Sequence, residues 1–383
     1  MRRILILDNE FEMGGKEKSL FQFIAHADRS RFHFAVCCLK EGGYFKEKLE
    51  SLEVPFYDHL LRHRFDALGF VGLERVLRAE RTQLVYTFSH PNTVIFSYLA
   101  RLRGLVERIV VSYHAMGDTG GTRQVVPYLL PLLRRADALL AVAQVQKDYL
   151  VEVEGLPRER IQVIHNGVDT KRYRPPAAEE RQRIRAELGF GVDDVVLIAV
   201  ASLKPLKQID VLLRAVARLS QAGLPVRVVV AGDGSERAAL ASLAAQLGLA
   251  ERVWFAGLRD DVERLLQASD VFVLASRTEA FPNVVLEAMA TGLPVVTTDV
   301  GSVREMVEDG SSATVVPSGD ETALATAIAR LASDAPERAR LGERGRQIVD
   351  ERFRFESMCA KREALFEALL SSAQPRAVVT PTP

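Results

Sequence analysis

The feature that most limits what this chain can form is an alternation, run through twice, of short apolar stretches with longer segments of helical spacing. In the first half, residues 3–7, 34–39, 84–87, 108–112 and 139–142 read as strands, with helical patterns at 16–25 and 68–80. The pattern then restarts, with strands at 195–201, 226–231, 253–255, 271–274 and 295–298 and helices at 209–222, 236–247 and 284–291. Such alternation builds βαβ units around a parallel sheet, with functional loops at the carboxyl ends of the strands. The expected fold class is therefore α/β, with two doubly wound, Rossmann-like domains.

Between the two runs lies a polar segment, 171–180, in which Pro175-Pro176 fits neither element. We divide the chain into a domain at 1–168, a linker at 169–192, a second domain at 193–352, an amphipathic last helix at about 353–372 and a disordered tail at 373–383. At 383 residues the chain exceeds what one hydrophobic core usually serves.

Charge is balanced overall, 50 basic against 50 acidic side chains, so no global field recommends nucleic acid as partner. Residues 1–175, however, carry a net +5 and all seven histidines, which suits either an ordinary surface or contact with an acidic acceptor or anionic lipid. Three cysteines, Cys37, Cys38 and Cys359, make neither a disulfide framework nor a zinc cluster, and a reducing cytoplasm is expected. No apolar run is long enough to span a bilayer. Val125 to Leu133 is an apolar stretch with arginines at 123, 134 and 135, read either as a packed helix or as a peripheral contact with the inner membrane.

The segment 271–296 is the most informative. A strand leads into Ala275-Ser276-Arg277-Thr278-Glu279-Ala280-Phe281-Pro282-Asn283, then a helix closed by Gly292 and Pro294. Asn283 reads as the N-cap, leaving the amides of Val284 and Val285 to face the strand's carboxyl end, where a phosphate would bind. Glu279 and Glu287 bracket the turn; carboxylates repel a diphosphate but accept well from paired hydroxyls. Phosphate for the helix and diols for the acids together describe a nucleotide sugar.

On these residues the chain resembles the retaining GT-B glycosyltransferases of family 4, the glycosyl transferases group 1, whose signature is two glutamates with seven residues between them in a Glu-Gly-Phe-Pro-like turn. Further segments match in order over nearly the whole chain: Gly14-Gly15, His114, Arg135-Ala136-Asp137, residues 163–169, Lys207, Gly232-Asp233-Gly234 and Phe255-Ala256-Gly257. The resemblance implies two such domains facing a central cleft, with Glu279 beside the donor sugar, Glu287 on the ribose diol, and backbone around Phe281, Pro282, Asn283 and Val284 on sugar and phosphate. It further implies that Lys207 neutralises the diphosphate, that His114 touches the donor sugar, and that Gly15, Gly232 and Arg259 belong to the donor site. Ser202 stands where an arginine is common, and Lys204 restores that charge only if its loop turns inward. Gly14-Gly15 is equally readable as a plain turn, and Phe11, Met13 and Tyr113 as acceptor-side contacts or as packing.

No Asp-x-Asp motif occurs, so metal-independent catalysis is expected, with no cofactor beyond the nucleotide sugar, a UDP-sugar before a GDP- or ADP-sugar. The expected function is retaining sugar transfer to a glycan or glycolipid of envelope polysaccharide synthesis, at a cytoplasmic location or on the cytoplasmic membrane face. A sugar-nucleotide epimerase and an inactive binding protein of the same shape remain alternatives.

Overall fold

The computed structural model describes residues 1–11, 14–61, 66, 68–114 and 125–371. Met13, Arg123 and the tail 373–383 lie outside the described residues. The chain divides into two compact units, the first holding residues 1–114, 125–165 and 356–371, the second residues 166–355.

In the first unit seven parallel strands, β1 (Arg2–Asp8), β2 (Phe32–Cys38), β3 (Phe56–Tyr57), β4 (Leu84–Phe88), β5 (Arg108–Ser112), β6 (Ala138–Ala141) and β7 (Ile161–Val163), lie in the order 3-2-1-4-5-6-7. Central strands such as Ile4-Leu5-Ile6-Leu7 are buried on both faces, and helices cover them. One face packs Phe70, Leu73, Val94, Tyr98, Leu129 and Leu133 against Leu5, Val85 and Ile109. The last helix, Phe355–Ser371, belongs to this unit from Glu356 onward and sets Phe366 against Phe23 and Tyr86.

In the second unit six parallel strands, β8 (Val195–Val200), β9 (Val226–Ala231), β10 (Val253–Gly257), β11 (Val271–Leu274), β12 (Val295–Thr298) and β13 (Ala313–Val316), take the order 10-9-8-11-12-13. The Ile209–Gln221 helix buries Ile209, Leu212, Leu213, Val216 and Leu219 on this sheet, an apolar stripe at helical spacing. In both units the strand order reverses beside the first strand, between β1 and β4 and between β8 and β11. Loops leaving such neighbours diverge, and ligands of open α/β sheets bind in the crevice between them.

One expectation is corrected and two open readings resolve toward packing. The segment 169–192 is no free linker: it carries the Ala178–Glu187 helix and lies within the second unit. Arg185, 7% exposed, donates to the carbonyls of Ala268 (3.0 Å), Gly191 (2.7 Å) and Asp194 (2.6 Å) and to Asp270 (3.1 Å), while Arg181 takes the other Asp270 oxygen at 2.7 Å. The stretch Val125 to Leu133 is mostly packed, with Val125, Leu129 and Leu133 buried and Tyr128 outward. Phe11 and Tyr113 are also core residues, Phe11 lying edge-on to Phe45 and Phe56. Among the described residues no helix is long and apolar enough to cross a membrane.

Removing the Arg185 guanidinium strands three carbonyls and half of a buried ion pair. Arg185→Ala should lower unfolding free energy by about 3 to 5 kcal/mol, read by urea denaturation; a loss under about 1 kcal/mol would show that the helix is held by packing alone.

Candidate functional site

The loops at the carboxyl ends of β8 and β11 come together at the switch point of the second sheet. The loop after β8 ends in the short turn Pro205–Lys207, then Gln208 in the left-handed region (φ 47°) before the next helix. This conformation aims Lys207 toward the neighbouring loop, where its Nζ lies 2.6 Å from Oε1 of Glu279. The same oxygen accepts from Oγ of Ser276 at 2.7 Å. Two backbone-level ties fix the loops: the Arg277 amide donates to the Leu206 carbonyl (2.8 Å), and Thr298 Oγ1 to the Ser276 carbonyl (2.7 Å).

Glycines allow this closeness. A Cβ on Gly232, whose φ is 132°, would stand 1.9 Å from the Ala201 carbonyl oxygen, and one on Gly234 2.5 Å from that of Leu203. Gly232 therefore lets the loop that leads to Lys207 seat closely against it. Gly301, at φ 53°, does the same for Glu279, since its Cβ would fall 1.7 Å from the Glu279 carbonyl oxygen.

The helix after the turn runs Asn283–Ala290, and its N-cap is Pro282, not Asn283 as the sequence suggested. Proline before the helix presets the extended entry, and Asn283 becomes the first helical residue. The amide of Val285 is also committed, donating to the Pro282 carbonyl at 2.9 Å. The Asn283 side chain instead accepts from Nδ2 of Asn166 at 3.0 Å. Glu287 follows one turn after Asn283 on the same helical face, its side chain buried. Phe281 is buried with its ring 6.1 Å from that of Phe353, so any ligand contact it makes is through backbone.

Other predicted residues are placed differently. Ser202 and Lys204, in the loop after β8, are both exposed. Arg259 is taken by Asp261, two bonds of 2.8 Å each, with its guanidinium 5.9 Å over the Trp254 ring. Ser276 and Gly301 were not singled out; Ser276 had a signal in its place three residues before Glu279, whereas Gly301 meets Glu279 only through the tertiary fold.

In the first unit, Gly15 opens the Gly15–His26 helix, and the next residue, Lys16, pairs with Asp8 (2.5 Å) and Glu17 (2.9 Å) beneath the Phe88 ring. Burial raises the Asp8 carboxyl to about 6 despite the Lys16 ammonium beside it. His114, after β5, is half-buried, 3.0 Å from Ser112 Oγ and stacked obliquely on Phe88. Burial, and after it the charges of Arg362 and Lys16, hold its imidazole well below the usual 6.5. At neutral pH it is uncharged and offers one donor and one acceptor.

Residues 180–348 match the family Glycosyl transferases group 1, and residues 13–172 match Glycosyltransferase Family 4. N-acetyl-alpha-D-glucosaminyl L-malate synthase of Bacillus anthracis is 29% identical over 214 residues, 56% of this chain and 55% of that protein. EpsD of Bacillus subtilis (strain 168), assigned as a glycosyltransferase by inference, is 35% identical over 315 residues, 79% of this chain and 82% of its own. Among solved structures, Anabaena HepE in complex with UDP and glucose superposes with a TM-score of 0.83 at 25% identity, covering 97% of this chain and all of that one. The first curated relatives are matched over about half of their own length.

Two outcomes follow from this geometry. The C2 proton of His114 should show no imidazole titration by NMR between pH 8 and 6.5; because its folded pKa is depressed, its contribution to stability is lost as pH falls below the unfolded value near 6.5. A midpoint at or above 6.5 would refute its enclosure. Gly301→Ala should destabilise the second unit by about 1 to 3 kcal/mol through its strained φ and the clash behind Glu279; an unchanged melting curve would mean that this contact yields without cost.

Proposed function

The chain belongs to the group 1 glycosyl transferases, and we propose that it transfers a sugar, with retention, from a nucleoside-diphosphate sugar to a hydroxyl of a glycan or glycolipid acceptor. The observation that carries this reading is the bonded set of Ser276, Glu279 and Lys207 beside the start of the Asn283–Ala290 helix. A compact ammonium and the positive end of a helix suit a diphosphate, and carboxylates suit sugar hydroxyls.

In this reading Lys207 exchanges partners when the donor binds. A partly exposed ion pair contributes on the order of 1 kcal/mol, less than the charge-assisted bonds a diphosphate offers the same ammonium. Once released, Glu279 accepts from the sugar hydroxyls, and Glu287 serves the ribose diol. The bond between the anomeric carbon and the diphosphate oxygen breaks, and the acceptor oxygen bonds to that carbon on the face being vacated. The acceptor's proton passes to the departing diphosphate oxygen, whose growing charge Lys207 and the helix start stabilise. Because these groups supply the positive charge, the reaction runs without a metal ion. A uridine donor is favoured by the likeness to HepE, which holds UDP and glucose. The acceptor belongs to envelope polysaccharide synthesis, at a cytoplasmic site.

Lys207→Ala and Glu279→Ala should each lower transfer from a UDP-sugar by roughly a hundredfold to a thousandfold, at a stability loss of about 1 kcal/mol. Wild-type turnover should persist in excess chelator. Full rates in both variants at saturating donor would end this reading, and loss of activity on chelation would end its metal-free form.

A further inference from the structure

The second unit has a hollow at the end of its sheet opposite to Glu279 and Lys207. Glu279 follows β11, whereas Ser269 and Asp270 come immediately before that strand and Leu293 and Pro294 immediately before β12, and these four residues line the hollow. Its other walls come from Pro175-Pro176, from the end of the Val262–Ala268 helix, and from Arg338 and Ala339 near the start of the Ala335–Arg352 helix. Its volume of about 330 Å³ lies within the range of small-molecule sites.

One part of the lining is apolar. Pro175, Pro176, Leu266, Leu293 and Pro294 supply it, so the two prolines that fit neither strand nor helix have a place here. Gly292, at φ 79°, keeps that segment close, since a Cβ on it would stand 3.2 Å from Pro175 Cγ.

The other part is positively charged. Asp270 is already engaged, its Oδ1 by Arg181 at 2.7 Å and its Oδ2 by Arg185 at 3.1 Å and by the Val196 amide at 2.8 Å. Arg181 uses only Nη2, on Asp270 and on the Ser269 carbonyl, which leaves its Nε and Nη1. Arg338 has no carboxylate partner among the described residues; its Nη1 donates to the carbonyls of Leu331 (2.6 Å) and Ala332 (2.9 Å), which leaves Nε and Nη2. Three guanidinium groups against one carboxylate leave two positive charges in surplus. In a hollow of this size Arg181 and Arg338 are within reach of a single ligand.

A guanidinium edge pairs best with the oxygens of a phosphate or a carboxylate. An inorganic ion would leave the proline and leucine wall unused, and a neutral apolar molecule would leave the arginines unused. We propose that this hollow binds a small organic anion, a phosphomonoester or a carboxylate with a compact apolar body, at a distance from Glu279 and Lys207. Its occupant touches both ends of the segment that carries the two glutamates. The strand leading to Glu279 starts beside it, and the Asn283–Ala290 helix, which carries Glu287, ends beside it at Thr291 and Gly292.

Isothermal titration calorimetry of the full chain with phenyl phosphate, benzoate and inorganic phosphate tests this, the first two probes separating a phosphate from a carboxylate ligand. Phenyl phosphate or benzoate should bind at least about tenfold more tightly than inorganic phosphate, because only the organic probes bury apolar surface. Arg338→Ala should weaken that binding at least about tenfold. Ala339→Phe, which fills the hollow from an exposed position, should do the same and serves should the first variant unfold. Lys207→Ala should leave the binding unchanged. No saturable binding of either organic anion, inorganic phosphate binding as tightly as both, or undiminished binding by the Arg338→Ala and Ala339→Phe variants would overturn the proposal. Loss of binding in Lys207→Ala with retention in Arg338→Ala would place the anion at the donor loops and overturn it equally.

Discussion

The second unit depends on the reversal of strand order beside β8. Because β9 lies on one side of it and β11 on the other, the chain leaving β8 and the chain leaving β11 turn to opposite faces of the sheet. The space they vacate is where Lys207 and Glu279 meet at 2.6 Å, from positions 72 residues apart in sequence. Neither loop could hold this arrangement alone. The short turn after β8 sets the ammonium, and the turn after β11 sets the carboxylate.

A division of labour runs through these loops. Glycines at 232, 234 and 301 and the hydroxyls of Thr298 and Ser318 act on backbone, bringing carbonyls of neighbouring loops within contact. The charged groups are held more lightly, by side-chain bonds that a ligand can exchange. A rigid backbone with exchangeable charges is suited to electrostatic preorganisation, in which the dipoles stand in place before charge develops and little reorganisation is needed. The close approach of Gly301 behind Glu279 matters for this reason: it seats the backbone while leaving the carboxylate to choose its partner.

Much of this was legible in the sequence because buried parallel strands announce themselves. Strands at Arg108–Ser112, Val226–Ala231, Val271–Leu274 and Val295–Thr298 match the apolar runs to the residue. The short edge strands β3, β7 and β13 were missed; Ile161-Gln162-Val163 carries an exposed glutamine and too few apolar residues to stand out. The helix Ala178–Glu187 was mistaken for linker because its sequence, rich in arginine and glutamate, reads as solvated, whereas Arg185 is buried against Asp270. Local chemistry pointed to Lys207 and the glutamate pair, and the fold brings Lys207 and Glu279 together. A neighbour decided the helix cap, since Pro282 took it from Asn283, and Arg259 is engaged by Asp261.

The two units use the same device with different results. Each places a lysine after its first strand against a carboxylate, Lys16 with Asp8 and Lys207 with Glu279. Asp8 comes from the end of β1 itself, 3% exposed at its side chain, and burial raises its carboxyl to about 6. Its lysine is gripped by a second acid, Glu17, and lies beneath an aromatic ring. Such a pair is closed, and prying it open would leave a buried acid alone. Glu279 comes from the neighbouring loop, and its side chain and that of Lys207 are 13% and 23% exposed. The lysine of the second unit can thus change partners at small cost, while that of the first is occupied. The lysines themselves are exposed alike, 25% and 23%, so what separates the two pairs is the burial of the acid, 3% against 13%, and on this ground we propose the diphosphate site in the second unit.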